Sequence, residues 1–228
     1  MGDWMKLTAE DGHSFDVYRA APEGKPRGAV VVVQEIFGVN PHIRNVADGY
    51  AEAGYLALAP AIYDRVEPGL ECGYAPDDIA KGRDWRAACD LDKVMLDLSA
   101  TVDEAGKSGK VGMVGYCWGG TLTFVSACRL APRLSAASGY YGGQIMPHVA
   151  EQPGAATMLH FGELDKSIPL DDVEAIRAAH PEVEVFVYKG AGHGFNCDHR
   201  ADHHPTHAAT ALKRTLDLFA KHLDGAGA

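Results

Sequence analysis

The sequence predicts an α/β fold, a mostly parallel sheet with helices on both faces. Three observations predict it. Strand-like apolar runs alternate with helix-like segments along the chain. Glycine and proline fall between these segments rather than inside them. No linker or change in composition divides the 228 residues, so we expect a single domain over residues 1–228.

The first strand is predicted at Ala29–Val33, because its run of alanine and four valines is typical of a strand buried on both faces. Asn40 and Pro41 suit the N-cap and first turn of a helix that reaches about Ala53. The remaining elements follow in order. Further strands are predicted at 55–59, 110–114 and 183–188, and further apolar runs occur at 134–141 and 156–161. Helices are predicted at 119–130 and 171–179, and the stretch 77–104 is mostly helical. The chain closes with an amphipathic helix at 207–222.

Composition limits the possible partners. The formal net charge is −10 and no Lys/Arg-rich stretch occurs, so a nucleic-acid partner is not expected. The longest apolar runs are the length of a strand, and the polar amino-terminal sequence lacks a signal-peptide core. The five cysteines lack the spacing of a disulfide framework or a zinc site. We expect a cytoplasmic protein without membrane, metal or cofactor, a monomer or small homo-oligomer acting on a small molecule.

Cys117 lies at the centre of the motif GYCWGG, between the predicted strand 110–114 and the helix that follows. The spacing is that of the G-x-S-x-G nucleophile elbow, with cysteine in the serine position. Such a turn presents the side chain at a helix N-terminus, where the helix dipole stabilises a thiolate. The alternative is a buried cysteine in a glycine-rich turn.

A candidate base and a candidate acid each follow a later strand. His193 lies in the glycine-rich segment GAGHGF, and Asp165 follows the strand 156–161, with Glu163 as a rival carboxylate. Hydrolases with a nucleophile elbow carry nucleophile, acid and base in this chain order. We therefore predict a triad of Cys117, Asp165 and His193.

Two backbone N–H groups are candidates for an oxyanion hole. In this arrangement one belongs to the residue after the nucleophile, here Trp118, and the other to the loop after Ala29–Val33, here Ile36. Glu35 precedes Ile36 and closely follows four valines. Because burying a lone carboxylate is costly, Glu35 is expected either at a solvated rim or with a partner in the site.

Four segments resemble the dienelactone hydrolase family: DGHSF at 11–15, QEIFGVN at 34–40, GYCWGG at 115–120 and AGHGF at 191–195. The resemblance spans about residues 3–223. It implies an α/β-hydrolase fold, a Cys-His-Asp triad, and a glutamate that contacts the resting thiol. It assigns these roles to Cys117, His193, Asp165 and Glu35, the oxyanion donors to Ile36 and Trp118, and a substrate-binding tyrosine to Tyr140.

The sequence departs from that family at a substrate-binding position. Family members grip a substrate carboxylate with two arginines, and Cys197 stands where one is expected, with Arg200 nearby but out of register. The second arginine of the family falls in the segment that contains Lys81, Arg83 and Arg86. Since cysteine cannot bind a carboxylate as a guanidinium does, we expect small uncharged esters or lactones to compete well as substrates.

The expected function is hydrolysis of a lactone or activated carboxylic ester through a thioester on Cys117. One alternative is a non-catalytic thiol or redox protein based on the same cysteine. Another is a metal-binding protein that uses the histidine-rich segment from His199 to His207. In that segment, Pro205 interrupts the i, i+4 pair of His203 and His207.

Overall fold

The computed structural model describes residues 2–224 and contains one eight-stranded sheet. The strands are β1 (Asp3–Thr8), β2 (Ser14–Ala20), β3 (Ala29–Val33), β4 (Leu56–Pro60), β5 (Val111–Tyr116), β6 (Ala136–Tyr140), β7 (Ala156–Gly162) and β8 (Glu184–Tyr188). The helices are α1 (Pro41–Glu52), α2 (Pro76–Ala88), α3 (Leu91–Gly106), α4 (Trp118–Arg129), α5 (Leu170–Ala179) and α6 (Pro205–Leu223), with short 3-10 turns at Ile62–Arg65 and Met146–His148.

The strand order is β1-β2-β4-β3-β5-β6-β7-β8, and β3 to β8 are parallel. The predicted α/β fold class is confirmed. Sequence reasoning missed β1 and β2, which pair antiparallel with each other and, through β2, with β4. β1 lies at the sheet edge without a fully buried residue, so it lacks the apolar run that marks the central strands.

Alternate residues of β3 contribute to two hydrophobic cores. Val30 and Val32 pack in one core with residues of α1 and α6, such as Ile43 and Phe219. The neighbouring valines of β3 pack in the other core with residues of α3 and α4, such as Leu98. Burial on both faces explains why β3 is apolar throughout, as a strand inside a parallel sheet must be.

The predicted helical stretch 77–104 is two helices. Asp90 ends the continuity between them, because its carboxylate accepts hydrogen bonds from the backbone N–H groups of Asp92 and Lys93 and so caps α3. α6 begins at Pro205, two residues before the predicted start. Within residues 2–224, each helix is too short or too polar to cross a bilayer.

A buried ion pair joins Arg65, in the 3-10 turn after β4, to Asp97 of α3. The Arg65 guanidinium donates to both Asp97 oxygens, each at 2.7 Å, and the Asp97 side chain is fully buried. Arg65 also reaches Asp11 in the β1–β2 turn. The pair therefore ties the amino-terminal hairpin to the parallel part of the sheet.

Asp97→Ala is expected to lower the free energy of unfolding by about 3–5 kcal/mol, since it leaves the Arg65 charge buried without its partner. Asp217→Ala removes the carboxylate of an exposed pair with Lys213 on α6 and is expected to cost below about 0.5 kcal/mol. Urea denaturation of both variants measures the difference. Equal, small losses would show that Arg65 remains solvated without Asp97.

Candidate active site

The carboxyl ends of four parallel strands place the predicted site residues along one edge of the sheet, where ligands bind in open α/β folds. Glu35 and Ile36 follow β3, Cys117 follows β5, Asp165 follows β7 and His193 follows β8. These residues come from distant parts of the sequence, and the sheet brings them together.

Cys117 occupies a strained turn between β5 and α4. Its backbone has φ +56° and ψ −117°, a conformation that costs energy for a residue with a side chain. Its N–H donates to the Tyr140 carbonyl at 3.0 Å, and its own carbonyl accepts from the Gly120 N–H at 3.0 Å. Neighbouring strand and helix thus hold the turn that presents the thiol at the N-terminus of α4.

Gly119 allows α4 to approach β3 closely. A Cβ atom at this position would collide with the carbonyl oxygens of Val33 and Gln34. The glycine therefore brings the first turn of α4 against the start of the loop that carries Glu35 and Ile36.

Cys117, His193 and Asp165 form a continuous chain of contacts. His193 Nε2 lies 3.2 Å from Cys117 Sγ, and His193 Nδ1 lies 2.7 Å from Asp165 Oδ2. The second carboxylate oxygen of Asp165 accepts from the Ser167 backbone N–H at 2.8 Å. The Asp165 side chain is fully buried, so its orientation toward His193 is well defined.

The electrostatics of this chain favour an imidazolium ring. Burial alone would lower the pKa of His193, but the neighbouring Cys117 sulfur and the Asp165 carboxylate together raise it to about 10. The rival acid Glu163 is directed elsewhere, because its carboxylate accepts from the Gly190 N–H at 2.7 Å. The geometry therefore joins Asp165, and not Glu163, to the histidine.

Glu35 is fully buried, and its partner is Tyr74 rather than solvent. The Tyr74 hydroxyl donates to Glu35 Oε2 at 3.0 Å. Burial and the nearby carboxylate raise the pKa of Tyr74 far above its usual value, which keeps the hydroxyl protonated as a donor. Among residues 2–224 no hydrogen bond joins Glu35 to Cys117, whose thiol lies instead against His193.

Tyr63 contacts both residues that carry the predicted oxyanion donors. The Tyr63 hydroxyl donates to the Ile36 carbonyl at 3.1 Å, and its ring stacks on that of Trp118, with ring centroids 5.7 Å apart. In the described part of the chain neither backbone N–H, of Ile36 or of Trp118, has a hydrogen-bond acceptor. Both residues line the same cavity as Cys117.

The cavity beside Cys117 and His193 has a volume of about 370 Å³ and is rich in arginine. Arg83, Arg86 and Arg200 all line it. In the described residues neither Arg83 nor Arg86 forms an ion pair, and Arg200 has only a loose one with Asp202, at 3.7 Å. The remaining lining residues are Ile36, Phe37, Ile79, Trp118, Thr121, Gly143, Gln144 and Ser167.

The Arg200 guanidinium, which lines the cavity, lies directly against Gly194. At this glycine φ is +79°, and a Cβ atom there would lie 2.9 Å from Arg200 Nη1, closer than real side-chain contacts allow. The guanidinium therefore lies over the backbone directly after His193. Counting positions from the histidine could not reveal this contact, since it depends on the loop conformation.

Three expectations for substrate contacts need correction. Tyr140 does not line the cavity, because it is fully buried and its hydroxyl lies 2.7 Å from Thr215 Oγ1 under α6. Lys81 is exposed, lies outside the cavity and faces Asp78. Cys197 is also buried and lies outside the cavity. The absence of an arginine at that position therefore leaves the three arginines that line the cavity in place.

Within residues 2–224, the histidines from His199 to His207 do not gather into one cluster of candidate metal ligands. His204 caps α6, and its ring stacks on that of His207, with centroids 3.9 Å apart. His207 Nε2 is engaged by the Lys189 carbonyl at 2.9 Å. Among residues 2–224, the groups whose ligand atoms could share an ion include only His199 from this pattern.

A mostly parallel eight-stranded sheet, with a nucleophile elbow after β5 and a histidine after β8, defines an α/β hydrolase. Comparison with known proteins is more specific. The Dienelactone hydrolase family profile matches residues 15–223. The carboxymethylenebutenolidase of Pseudomonas putida is 31% identical over 229 residues, which cover 95% of both chains.

Further relatives agree. A provisionally named carboxymethylenebutenolidase of Synechocystis is 39% identical over 213 residues, covering 85% of this chain and 86% of the relative. The crystal structure of a provisionally named dienelactone hydrolase from Klebsiella pneumoniae superposes with a TM-score of 0.82 at 30% identity, covering 96% of this chain and all of the other. The chain belongs to the dienelactone hydrolase family, and it is a hydrolase, as the sequence predicts.

Because its raised pKa depends on both neighbours, His193 is expected to keep its ring proton until the pH approaches 10 and to lose it at lower pH in Cys117→Ala. Histidine ring NMR shifts followed against pH measure this. The charged ring stabilises the fold fully below pH 6.5, and that contribution is lost as the pH rises toward 10. An unchanged titration in Cys117→Ala would show that the thiolate does not hold the proton.

Proposed function

We propose that Cys117 is the nucleophile, His193 the general acid and base, and Asp165 the residue that orients His193 in the cleavage of a lactone or activated carboxylic ester. The observation that carries this proposal is the unbroken chain of contacts from Sγ through both imidazole nitrogens to the Asp165 carboxylate. It is the geometry of a nucleophile, a base and an orienting acid.

In the first step the Cys117 thiolate attacks the substrate carbonyl carbon. The carbonyl oxygen becomes an oxyanion and accepts hydrogen bonds from the Ile36 and Trp118 backbone N–H groups. When the C–O bond breaks, the leaving oxygen takes the proton from His193 Nε2, and the acyl group remains on sulfur as a thioester. In a lactone the leaving hydroxyl stays attached to that acyl group.

In the second step a water molecule attacks the thioester. His193, now neutral, accepts the proton of that water, and the C–S bond breaks to release a carboxylic acid and restore the thiolate–imidazolium pair. Asp165 stabilises the imidazolium before acylation and after deacylation. When the ring is neutral, Asp165 fixes the tautomer whose Nδ1 carries the proton and whose Nε2 faces the sulfur.

This chemistry selects the leaving group. Thiolate departs easily from a tetrahedral intermediate, so the intermediate returns to reactants unless the departing oxygen leaves equally well. Esters of acidic alcohols and enol-lactones meet this condition, whereas amides and simple alkyl esters do not.

The arginines of the cavity indicate which acyl group the substrate carries. The protein carries a formal net charge of −10, so an anionic ligand needs local cations to overcome repulsion. Arg83, Arg86 and Arg200 provide them at the cavity that contains Cys117. We infer a substrate that bears a carboxylate beside its lactone or ester bond, which replaces the expectation that uncharged substrates compete well.

A cytoplasmic location and a monomeric or small homo-oligomeric state stay predictions. All five cysteines are free thiols in the structure, which is compatible with a reducing compartment.

Asp165→Asn is expected to lower kcat by about 10³- to 10⁴-fold with the fold intact, because the amide fixes the wrong His193 tautomer. Glu163→Gln is the matched control, since Glu163 contacts a backbone N–H and not the histidine. Turnover of an activated ester such as p-nitrophenyl acetate measures both, with Cys117→Ala as the inactive reference. Near-normal turnover by Asp165→Asn, or substantial turnover by Cys117→Ala, would contradict the proposed roles.

Arg200→Gln is expected to lower kcat/KM for a carboxylate-bearing enol-lactone by about 10- to 100-fold, equivalent to about 1.5–3 kcal/mol for a hydrogen bond to a charged group. The value for a neutral activated ester should hardly change. Arg19→Gln, an exposed residue of β2 paired with Asp3, is the control. Equal losses on both substrates would mean that Arg200 holds the His193 loop in place rather than binding a carboxylate.

A further inference from the structure

We propose that Glu35, His42 and Cys197 form a binding site for Zn²⁺, distinct from the substrate cavity. One ligand atom from each side chain lies within 4.8 Å of the other two. None of the three residues lines the cavity that contains Cys117. They come from the loop after β3, the first turn of α1 and the loop before α6, so only the folded chain brings them together.

The three side chains are buried. Glu35 and Cys197 are fully inaccessible to solvent, and His42 is 3% exposed. A carboxylate, an imidazole and a thiol so placed require partners, because solvent cannot satisfy them.

Two atoms of this cluster lack any partner. Glu35 Oε1 and His42 Nε2 are buried without a hydrogen bond in the described part of the chain. Each would otherwise cost the folded state a desolvation penalty. A cation held by Glu35, His42 and Cys197 would give these atoms a partner, since carboxylate oxygen and imidazole nitrogen are ordinary zinc ligands.

The second polar atoms of His42 and Glu35 form hydrogen bonds of the kind that orient the ligands in metal sites. His42 Nδ1 lies 3.0 Å from Asp198 Oδ1, which leaves Nε2 available as a ligand. Glu35 Oε2 accepts from the Tyr74 hydroxyl, which leaves Oε1 available in the same way. The carboxylate–histidine contact is the outer-shell pairing that orients metal-binding histidines.

The donor set favours zinc over harder cations. A thiolate, an imidazole and a carboxylate suit Zn²⁺, whereas Ca²⁺ and Mg²⁺ require sets of oxygen ligands. Tetrahedral zinc holds its ligand atoms about 3.3–3.8 Å apart, so closing this set needs side-chain movements of about 1 Å. A fourth position stays open for water.

The charges balance on binding. Without a cation the neutral form of the Cys197 side chain is the protonated thiol, and it is fully buried beside Glu35. Zn²⁺ displaces that proton to solvent and forms a Zn–S bond. The product combines one dication with one thiolate and one carboxylate, and is neutral.

A second group of side chains connects His42 to the surface. His42, Asp198 and His199 also have ligand atoms within 4.8 Å of one another. The Asp198 and His199 side chains are 64% and 40% exposed. The buried cluster therefore adjoins exposed side chains, because His42 Nδ1 faces the Asp198 carboxylate at the surface.

Full-length Cys117→Ala protein is the material for the test, because it removes the catalytic thiol as a competing ligand. Titration with Co²⁺ is expected to give a sulfur-to-cobalt charge-transfer band that saturates at one equivalent and is abolished by added Zn²⁺. Adding Cys197→Ser should remove the band, and His42→Gln should weaken Co²⁺ binding at least tenfold. Asp198→Asn, which changes only the orienting group, should weaken it by about 10- to 100-fold.

Cys128→Ser in the same background is the matched control, because Cys128 is a partly buried thiol that contacts the Glu151 carbonyl, away from this cluster. It should keep the band. No band in Cys117→Ala, or a band that survives Cys197→Ser, would overturn the proposal. Circular dichroism establishes that each variant is folded, and Cys197→Ala replaces Cys197→Ser if serine prevents folding. Hydrolysis is not a readout here, so the result is independent of the proposed catalytic roles.

Discussion

The close packing of α4 on β3 is the constraint on which the site depends. Gly119 brings the helix against the carbonyl oxygens of Val33 and Gln34, where a Cβ atom would not fit. The contact fixes the distance between two loops that are about eighty positions apart in sequence. Cys117, Glu35 and the backbone N–H groups of Ile36 and Trp118 therefore keep their relative positions. The strained backbone at Cys117 is stable only because this packing and the hydrogen bond to Tyr140 hold it.

Features that follow from local pattern or strand order could be predicted from the sequence. The valine run identified β3, and the glycines around Cys117 identified the elbow. Strand order then selected Asp165 and His193, since each follows a parallel strand whose end lies at the same sheet edge. The hairpin of β1 and β2 could not be found in this way, because a half-exposed antiparallel edge carries little apolar signal.

Contacts made by irregular segments escaped prediction for a different reason. Arg200 lines the cavity from the loop after His193, which turns at a left-handed glycine, and no rule of spacing encodes that turn. Tyr140 illustrates the reverse case, since a position that matched a family pattern carries a side chain directed into the core. The partner of Glu35 was equally hidden, because Tyr74 lies in a loop between the 3-10 turn and α2.

The unequal setting of the cysteines has a chemical consequence. Burial raises the pKa of Cys72 and Cys89 to about 11 and that of Cys128 and Cys197 to about 12, so these sulfurs stay protonated and unreactive toward peroxide. Cys117 is only partly buried and lies beside an imidazolium. A charged His193 beside this sulfur favours its attack on hydrogen peroxide as well as on a carbonyl carbon. Attack on peroxide would convert the sulfur to a sulfenic acid. Under oxidative stress the protein would therefore be inactivated first at Cys117 Sγ. Reduction of the sulfenic acid by small thiols would restore the protein.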